Sequence, residues 1–307
     1  MVAITEMTLL AFTWGEFFQQ VVFGLAIGAV YASLALAIVL IYRTTHVVNF
    51  GQGEMAMFTT YIAWSLITNH GFSFWPAFFV TIGIAFAIGA AVERVIIRPF
   101  EGGSHLTLIL VTIGLFVIFN GLASWIWSPE QRNFPSPFSA EGFTVAGVVI
   151  ARQDVGIIVV TLITVTLLWA FFRFTKIGLG MRAAAIGPGP SRLMGVPVPW
   201  MYAFGWGFAA ALGAVSGMMV APILLLSPTM MLPILIYGFA AAVLGGIESP
   251  VGAVVGGLLL GLGTTLLGRY VGFVGTELEL PVAFVVLVLV LLVRPAGLFG
   301  RATVRRV

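Results

Sequence analysis

Long apolar runs constrain this chain more than any other feature of its sequence. A helix that spans a membrane needs about 20 mostly apolar residues, each adding about 1.5 Å of length. Nine runs reach or approach that length, and they cover residues 17–42, 55–66, 72–92, 106–127, 155–172, 201–226, 232–245, 251–267 and 281–293. We therefore predict an all-α, polytopic membrane bundle of about eight or nine transmembrane segments, some short or broken, forming one domain over residues 1–307.

The composition agrees with a membrane protein and excludes several other classes. The chain is 60% hydrophobic and 8% charged, whereas a soluble surface needs about a quarter of charged residues. It has no cysteine and only three scattered histidines, so we predict no disulfide and no metal site. Its net charge of +3 is a small excess that loop topology explains, and we predict no nucleic-acid partner. Because Glu6 and Glu16 lie near the start without a basic region, we expect no cleavable signal peptide.

The distribution of basic residues predicts the orientation, because cytoplasmic loops of membrane proteins are enriched in Lys and Arg. We place residues 173–200 in the cytoplasm and alternate the loops from there. Eleven basic residues then fall inside: Arg43, Arg94, Arg98, Arg173, Lys176, Arg182, Arg192, Arg294, Arg301, Arg305 and Arg306. Only Arg132, Arg152 and Arg269 fall outside. The N-terminus is then periplasmic, the C-terminus is cytoplasmic, and residues 128–154 form a periplasmic loop.

The segment 173–200 is unusual because it is basic, contains no acid and lies between two apolar runs. Its glycines and prolines indicate a polar loop with room for one short helix, from Pro190 to Met194 or slightly longer. Such a loop serves either as a topology anchor or as a docking segment for a partner protein. The residues alone leave both roles open.

Motifs of soluble enzymes are missing from the sequence. It contains no G-x-x-x-x-G-K-[ST], no H-E-x-x-H and no G-x-S-x-G. The apolar segments carry no Asp, Glu, Lys or Arg, and the nearest exception is Glu54. Proton-coupled carriers usually keep such groups within the bilayer, so we expect the driving force for transport to come from elsewhere. Because catalytic motifs are missing as well, we predict a transport protein that is not an enzyme and holds no cofactor.

The sequence NFGQGE at residues 49–54 interrupts an apolar run with glycines and polar side chains. It is either a gate in a transport pathway, because unwound backbone at membrane depth must line a cavity or be buried in protein, or a helix start with Asn49 as N-cap and Glu54 near the positive helix end. Asn120 either lines the pathway or holds helices together. GIESP at 246–250 is either a broken helix or a plain turn. We predict five polar residues as pathway candidates: Asn49, Gln52, Glu54, Thr112 and Asn120.

Four pairs of glycines lie one helical turn apart: Gly24 and Gly28, Gly213 and Gly217, Gly252 and Gly256, and Gly257 and Gly261. Small residues at this spacing allow helix backbones to approach closely in a membrane. We predict that these pairs serve packing within the bundle and carry no information about a substrate.

Six motifs in order resemble a known family. They lie at residues 31–54 (YASLALAIVLIYRTTHVVNFGQGE), 93–99 (ERVIIRP), 110–115 (LVTIGL), 178–185 (GLGMRAAA), 241–257 (AAVLGGIESPVGAVVGG) and 294–300 (RPAGLFG). Over residues 17–300 the chain resembles the LivH-type permeases of branched-chain amino acid ABC importers, within a wider family that includes ribose-type and urea permeases. Each motif alone is weak, but the six together at this spacing are specific.

The resemblance implies an inner-membrane permease subunit paired with a second permease subunit, two cytoplasmic subunits that bind ATP, and a periplasmic binding protein. It also implies that the loop between Arg182 and Gly195 is the coupling segment that sits in a groove of the ATPase. The family's usual Glu-Ala-Ala core aligns here with Gly189, Pro190 and Ser191, so its acidic contact is absent. The remaining residues predicted to contact the ATPase are Arg192, Leu193 and Met194.

Other functions fit the same residues. The architecture also suits import of urea, short amides, sugars or nucleosides. A self-sufficient channel or secondary carrier is a further alternative, which the scarcity of intramembrane acids disfavours. Function without ATPase subunits in liposomes would distinguish that class from an importer.

Overall fold

The computed structural model describes residues 14–139, 141–145, 148–272, 275 and 278–300. The helices are α1 Trp14–Thr45, α2 Gln52–Thr68, α3 Phe74–Val92, α4 His105–Trp127, α5 Arg152–Phe174, α6 Lys176–Ile186, α7 Pro188–Leu193, α8 Val198–Leu224, α9 Met231–Gly245, α10 Pro250–Tyr270 and α11 Glu279–Val293. A π-helical turn, Glu93–Ile97, and a 3-10 turn, Arg98–Phe100, extend α3. The expectations about Glu6, the signal peptide, Arg301, Arg305 and Arg306 lie outside the described residues.

Each of the nine apolar runs forms a helix, so the all-α membrane bundle is confirmed. Within the described ranges, six helices are long and apolar enough to cross a membrane: α1, α3 with its extension, α4, α5, α8 and α10. The other three are shorter, with 17 residues in α2 and 15 each in α9 and α11. The mixture of full and short segments matches the prediction of a bundle with some short members.

The loop predicted for residues 128–154 differs in two ways. It ends at Ala151, because α5 already begins at Arg152 and takes Asp154 into its first turn. It also contains two short antiparallel strands, β1 Phe143–Val145 and β2 Val148–Ile150, with Phe143 opposite Ile150.

The segment 173–200 holds more helix than predicted. Instead of one short helix, α6 and α7 follow one another, while its ends belong to α5 and α8. Thr175 caps α6 by accepting a hydrogen bond from the Gly178 N–H (3.0 Å). The expected short helix is α7, and it starts two residues earlier than Pro190, with Pro188 in its first turn. Proline is favoured there because its missing N–H would have no helical partner.

Helix α1 lies at the centre and packs against α10, α8 and α9. Glycines permit its close contact with α10: a Cβ on Gly28 would lie 3.0 Å from Leu258 Cα, and one on Gly261 would overlap the Gly28 backbone. On α8, a Cβ on Gly213 would lie 3.1 Å from Ala56 Cβ of α2. The interpretation of the glycine pairs as packing contacts is thus confirmed.

Two hydrogen bonds join the central helices α1 and α8. Ser33 of α1 donates to the Leu212 carbonyl of α8, and Ser216 of α8 donates to the Val30 carbonyl of α1, both at 3.2 Å. All four residues are buried. Paired hydroxyl-to-carbonyl contacts of this kind fix the register of two membrane helices.

GIESP forms a plain turn between α9 and α10. Gly246 has φ 104°, in the region that favours glycine, and Ser249 caps α10 by accepting a hydrogen bond from the Gly252 N–H at 3.0 Å. The RPAGLFG motif packs on this turn, since the Leu298 N–H donates to the Leu244 carbonyl at 2.8 Å. A Cβ on Gly297 would lie 2.6 Å from the Gly246 nitrogen. The two sequence motifs are therefore parts of one contact.

Replacing Gly261 by Ala places a methyl group where the Gly28 backbone lies. We expect α1 and α10 to separate and the free energy of unfolding to fall by about 1–3 kcal/mol, as overpacking usually costs. The matched control is Gly263→Ala on the same helix, whose Cβ would meet no atom within 4 Å. Thermal unfolding of the purified protein in detergent measures both, and equal melting temperatures for the two variants would contradict this packing.

A candidate site where two short helices begin

Two short helices start beside each other inside the bundle. Gln52 is the first residue of α2 and Met231 is the first residue of α9. A Cβ on Gly53 would lie only 3.3 Å from the Met231 carbonyl oxygen. Among the described residues, no side chain caps either helix start, so the positive ends of the two helix dipoles meet here.

This meeting point lies near the middle of the long helices. The Gln52 side-chain Nε2 donates a hydrogen bond to the Ala209 carbonyl at 2.9 Å. Ala209 comes 11 residues after Val198, about 16 Å along α8. Asn120, which also contacts the site, comes 15 residues after His105, about 22 Å along α4. Since the hydrocarbon core of a bilayer is about 30 Å thick, both helix starts lie at membrane depth.

Non-helical segments lead into both short helices. Residues 46–51 connect α1 to α2, and residues 225–230 connect α8 to α9. The first residue of each connection has a positive φ without being glycine: His46 has φ 55° and Leu225 has φ 65°. A residue with positive φ directly after a helix departs from helical geometry, so both long helices end at these positions.

Side chains of the NFGQGE motif satisfy part of this non-helical backbone. Asn49 Oδ1 accepts from the Gly51 N–H at 3.0 Å, and its Nδ2 donates to Gln52 Oε1 at 3.3 Å. The N-cap of α2 is Gly51, so the expectation that Asn49 is the N-cap is wrong. Asn49 instead bonds the residue two positions ahead and forms an Asx turn.

Glu54 and Asn120 form the second part of the site. Asn120 Nδ2 donates to Glu54 Oε2 at 3.2 Å and to the Pro228 carbonyl at 2.9 Å. Glu54 is 1% exposed, in the first turn of α2, where a negative charge interacts favourably with the helix dipole. The Asn120 side chain therefore links α4 to the first turn of α2 and to the segment 225–230.

The structure brings all five predicted pathway residues into one region. Thr112 is buried and donates to the Ile109 carbonyl at 2.9 Å, with the Val48 carbonyl at 3.4 Å. Asn49, Gln52 and Glu54 are buried too, whereas Asn120 is half-buried. Asn49, Gln52 and Thr112 direct their hydrogen bonds to protein groups, which is a scaffold role, while the Glu54–Asn120 pair joins the two helix starts.

Sequence reasoning missed Glu93, because the predicted apolar run ends at Val92, one residue before it. Helix α3 continues through it as the π-helical turn, and the side chain is fully buried. Within the part of the chain that the structure describes, neither carboxylate oxygen has a hydrogen-bond partner. The sequence signal that indicates continuation of α3 through Glu93 is the lack of a helix breaker before Pro99.

The predicted coupling segment lies at one end of the bundle. On α7, Ser191 is buried, whereas Arg192 and the neighbouring Gly195 are exposed. Leu193 and Met194 are 90% and 84% exposed, although both are apolar. Among the other predicted coupling residues, Gly189 and Pro190 are exposed on α7, and Arg182 is half-buried on α6.

Contacts with the chain after α3 hold this segment in place. The Arg94 guanidinium lies over the Trp200 ring, 4.2 Å from its centroid, and such cation–π contacts are worth about 0.5–2 kcal/mol. Burial raises the pKa of the Glu101 carboxyl above its usual value, although the positive charges of Arg98 and Arg192 act in the opposite direction. Arg192 is therefore close enough to Glu101 to interact electrostatically.

Comparison with known proteins identifies the family. Residues 20–291 match the family model described as "Branched-chain amino acid transport system / permease component", and the chain belongs to this family. It is 32% identical over 305 residues to "High-affinity branched-chain amino acid transport system permease protein BraD" of Pseudomonas aeruginosa. It is 30% identical over 307 residues to the corresponding LivH protein of Escherichia coli. Both alignments cover 95% of this chain and 98% of the relative, and the resemblance to LivH-type permeases is confirmed.

One solved structure, "PsaBC from Streptococcus pneumoniae in complex with Fab", aligns with 89% of each chain at 14% sequence identity and a TM-score of 0.47.

Replacing Asn120 by Ala leaves Glu54 and the Pro228 carbonyl without their shared donor. A buried polar group that loses its partner costs about 1–3 kcal/mol, so we expect a clear fall in the melting temperature. The matched control is Asn69→Ala, because Asn69 also makes a side-chain hydrogen bond, to Ser65 at 3.2 Å, but is exposed. Equal stability of the two variants would show that the amide does not join the short helices.

Proposed function

We propose that this chain is the permease subunit of an ATP-driven importer for branched-chain or related amino acids in a bacterial inner membrane. Two separate cytoplasmic subunits bind and hydrolyse ATP, a second permease subunit completes the membrane part, and a periplasmic protein binds and delivers the substrate. The N-terminus is periplasmic and the C-terminus is cytoplasmic. Membership of the permease family and the lack of a P-loop sequence support this assignment.

The exposed apolar tip of α7 is the observation that carries the proposal. Leu193 and Met194 are almost fully exposed, and they extend from an end of the bundle that is rich in arginine. Apolar side chains exposed beside a basic residue are typical of a protein contact. Because the positive-inside rule places this end in the cytoplasm, the partner is a cytoplasmic subunit, and the ATPase is the partner that this family's transport chemistry requires.

Helix α8 connects this tip to the intramembrane site. It begins at Val198, four residues after Met194, and passes α2, where Gln52 bonds to the Ala209 carbonyl. Farther along, a Cβ on Gly217 would lie 3.0 Å from the Ala56 carbonyl oxygen of α2. A displacement of α7 by the ATPase therefore reaches the start of α2 through one rigid helix, and the Glu54–Asn120 contact opens and closes in response.

The substrate needs few strong contacts in this scheme. The periplasmic protein provides selectivity, and the permease provides a pathway whose polar groups interact weakly with a zwitterion. Glu54 supplies an acceptor for the substrate ammonium, and the two helix starts favour its carboxylate. Weak binding suits an importer, since substrate that binds tightly in the pathway is released slowly.

Replacing Leu193 by Ser should weaken the association with the ATPase subunits by about tenfold or more, since burying a leucine side chain is worth about 1.5–3 kcal/mol. Val149→Ser is the control, because Val149 is 54% exposed. It lies on β2, just before the start of α5, whereas the coupling segment follows the end of α5. Co-purification and ATP-driven uptake in proteoliposomes measure the effect. Normal ATPase recovery with the Leu193 variant would refute docking at this tip.

Replacing Glu54 by Ala should reduce uptake of labelled leucine by about tenfold while the complex still assembles, because a hydrogen bond to a charged group is worth about 1.5–3 kcal/mol. Glu130→Ala removes an exposed acid and should leave uptake unchanged. If the Glu54 variant instead fails to accumulate as folded protein, Glu54 serves the start of α2 and the gate assignment is wrong.

A further inference from the structure

A second site lies at the arginine-rich end of the bundle, next to the predicted coupling segment. A cavity of about 550 Å³ opens between α1, α5, α6 and α10. Its walls are mostly apolar and include Leu40, Val165, Leu168, Phe172 and Val254. The volume is in the range of small-ligand sites, about 300–1,000 Å³.

Three arginines from three helices line this cavity. Arg43 lies in the last turn of α1, Arg173 lies in the last turn of α5, and Arg182 lies on α6. The residues lining the cavity, all in the described part of the chain, include no Asp or Glu. The cavity therefore has arginine side chains at one end and apolar side chains along its walls.

Arg182 carries one donor that the described residues do not pair. Its Nε is buried, and among the described residues it has no hydrogen-bond partner. A buried donor without an acceptor costs about 1–3 kcal/mol, and more when the group is charged. A phosphate group in the cavity is a fitting partner for the guanidinium groups that line it, because guanidinium groups bind phosphate through charge-assisted hydrogen bonds.

The position of the cavity relative to the bilayer favours a lipid. Trp169, which lines it, is 56% exposed, and the neighbouring Leu167 is 65% exposed on the outer face of α5. Tryptophans are enriched where membrane meets water. In the predicted orientation the arginines lie at the depth of the cytoplasmic headgroups, and the apolar walls extend towards the acyl chains.

We propose that the cavity binds an anionic phospholipid of the cytoplasmic leaflet. Its phosphate lies among Arg43, Arg173 and Arg182, and its acyl chains lie along α5 and α10. Basic pockets between membrane helices on the cytoplasmic side bind anionic headgroups in this way. Because α6 leads directly into α7, the bound lipid holds the base of the coupling segment against α1 and α10. The site itself depends on the predicted orientation and not on the identity of the transported substrate.

The test uses the full-length permease in nanodiscs of phosphatidylcholine with or without phosphatidylglycerol. Native mass spectrometry counts the phosphatidylglycerol molecules retained, and thermal unfolding measures stabilisation. We expect the double variant Arg173→Gln/Arg182→Gln to bind this lipid about 30-fold more weakly, at about 1 kcal/mol for each basic residue near a lipid surface. Arg152→Gln is the control: it removes the same charge from an exposed position at the other end of α5.

Three results would overturn the proposal. They are equal lipid retention by the double variant and the Arg152 control, equal stabilisation by soluble glycerol phosphate, and a cross-link at Trp169 showing that another permease subunit covers the cavity. If the double variant does not fold, Arg173→Gln alone decides the question, because Arg173 is exposed. Its retention of phosphatidylglycerol should fall about fivefold, and unchanged retention counts against the site.

Discussion

A bilayer offers no hydrogen-bond partner to a peptide group, and the architecture of this protein depends on that constraint. Residues 46–51 and 225–230 leave the helical conformation inside the bundle, so their backbone needs partners from the protein. Asn49, Thr112 and Asn120 provide side-chain hydrogen bonds to these two segments. Polar side chains would destabilise a helix that faces lipid, but they are required beside these two non-helical segments.

Close packing around α1 stabilises the bundle in which residues 46–51 and 225–230 leave the helical conformation. Glycines at its contact with α10, and on α8 where α2 passes, bring backbones within van der Waals distance. Ser33 and Ser216 add hydrogen bonds between α1 and α8. Dispersion contacts and interhelical hydrogen bonds are the main sources of helix association in lipid, so this rigid centre can carry two short helices that would not hold their position alone.

Much of the fold was predictable, because apolar runs of bilayer length have few other solutions. All nine runs became helices, and the glycine pairs marked real contacts. Helix ends were harder to predict: α6 was missed because the glycines at 178 and 180 suggested a loop, although both lie within a helix. Glu93 was missed for a related reason, since a charge was taken to mark the end of α3.

The candidate site was predictable in its residues but not in its geometry. Asn49, Gln52, Glu54, Thr112 and Asn120 were identified as polar groups in apolar surroundings. The hydrogen bond between Glu54 and Asn120 spans 66 positions of sequence, and no local pattern encodes such a contact. The role of residues 225–230 was invisible for the same reason, because Leu225 and Leu226 read as the end of an ordinary apolar run.

The starts of α2 and α9 also determine the charge balance around Glu54. Each helix start carries about half a positive charge, so the two together balance the single negative charge of an ionised Glu54. The paired helix starts thus bring the site close to electrical neutrality although none of its five polar residues is basic, which lowers the free-energy cost of an ionised carboxylate at membrane depth.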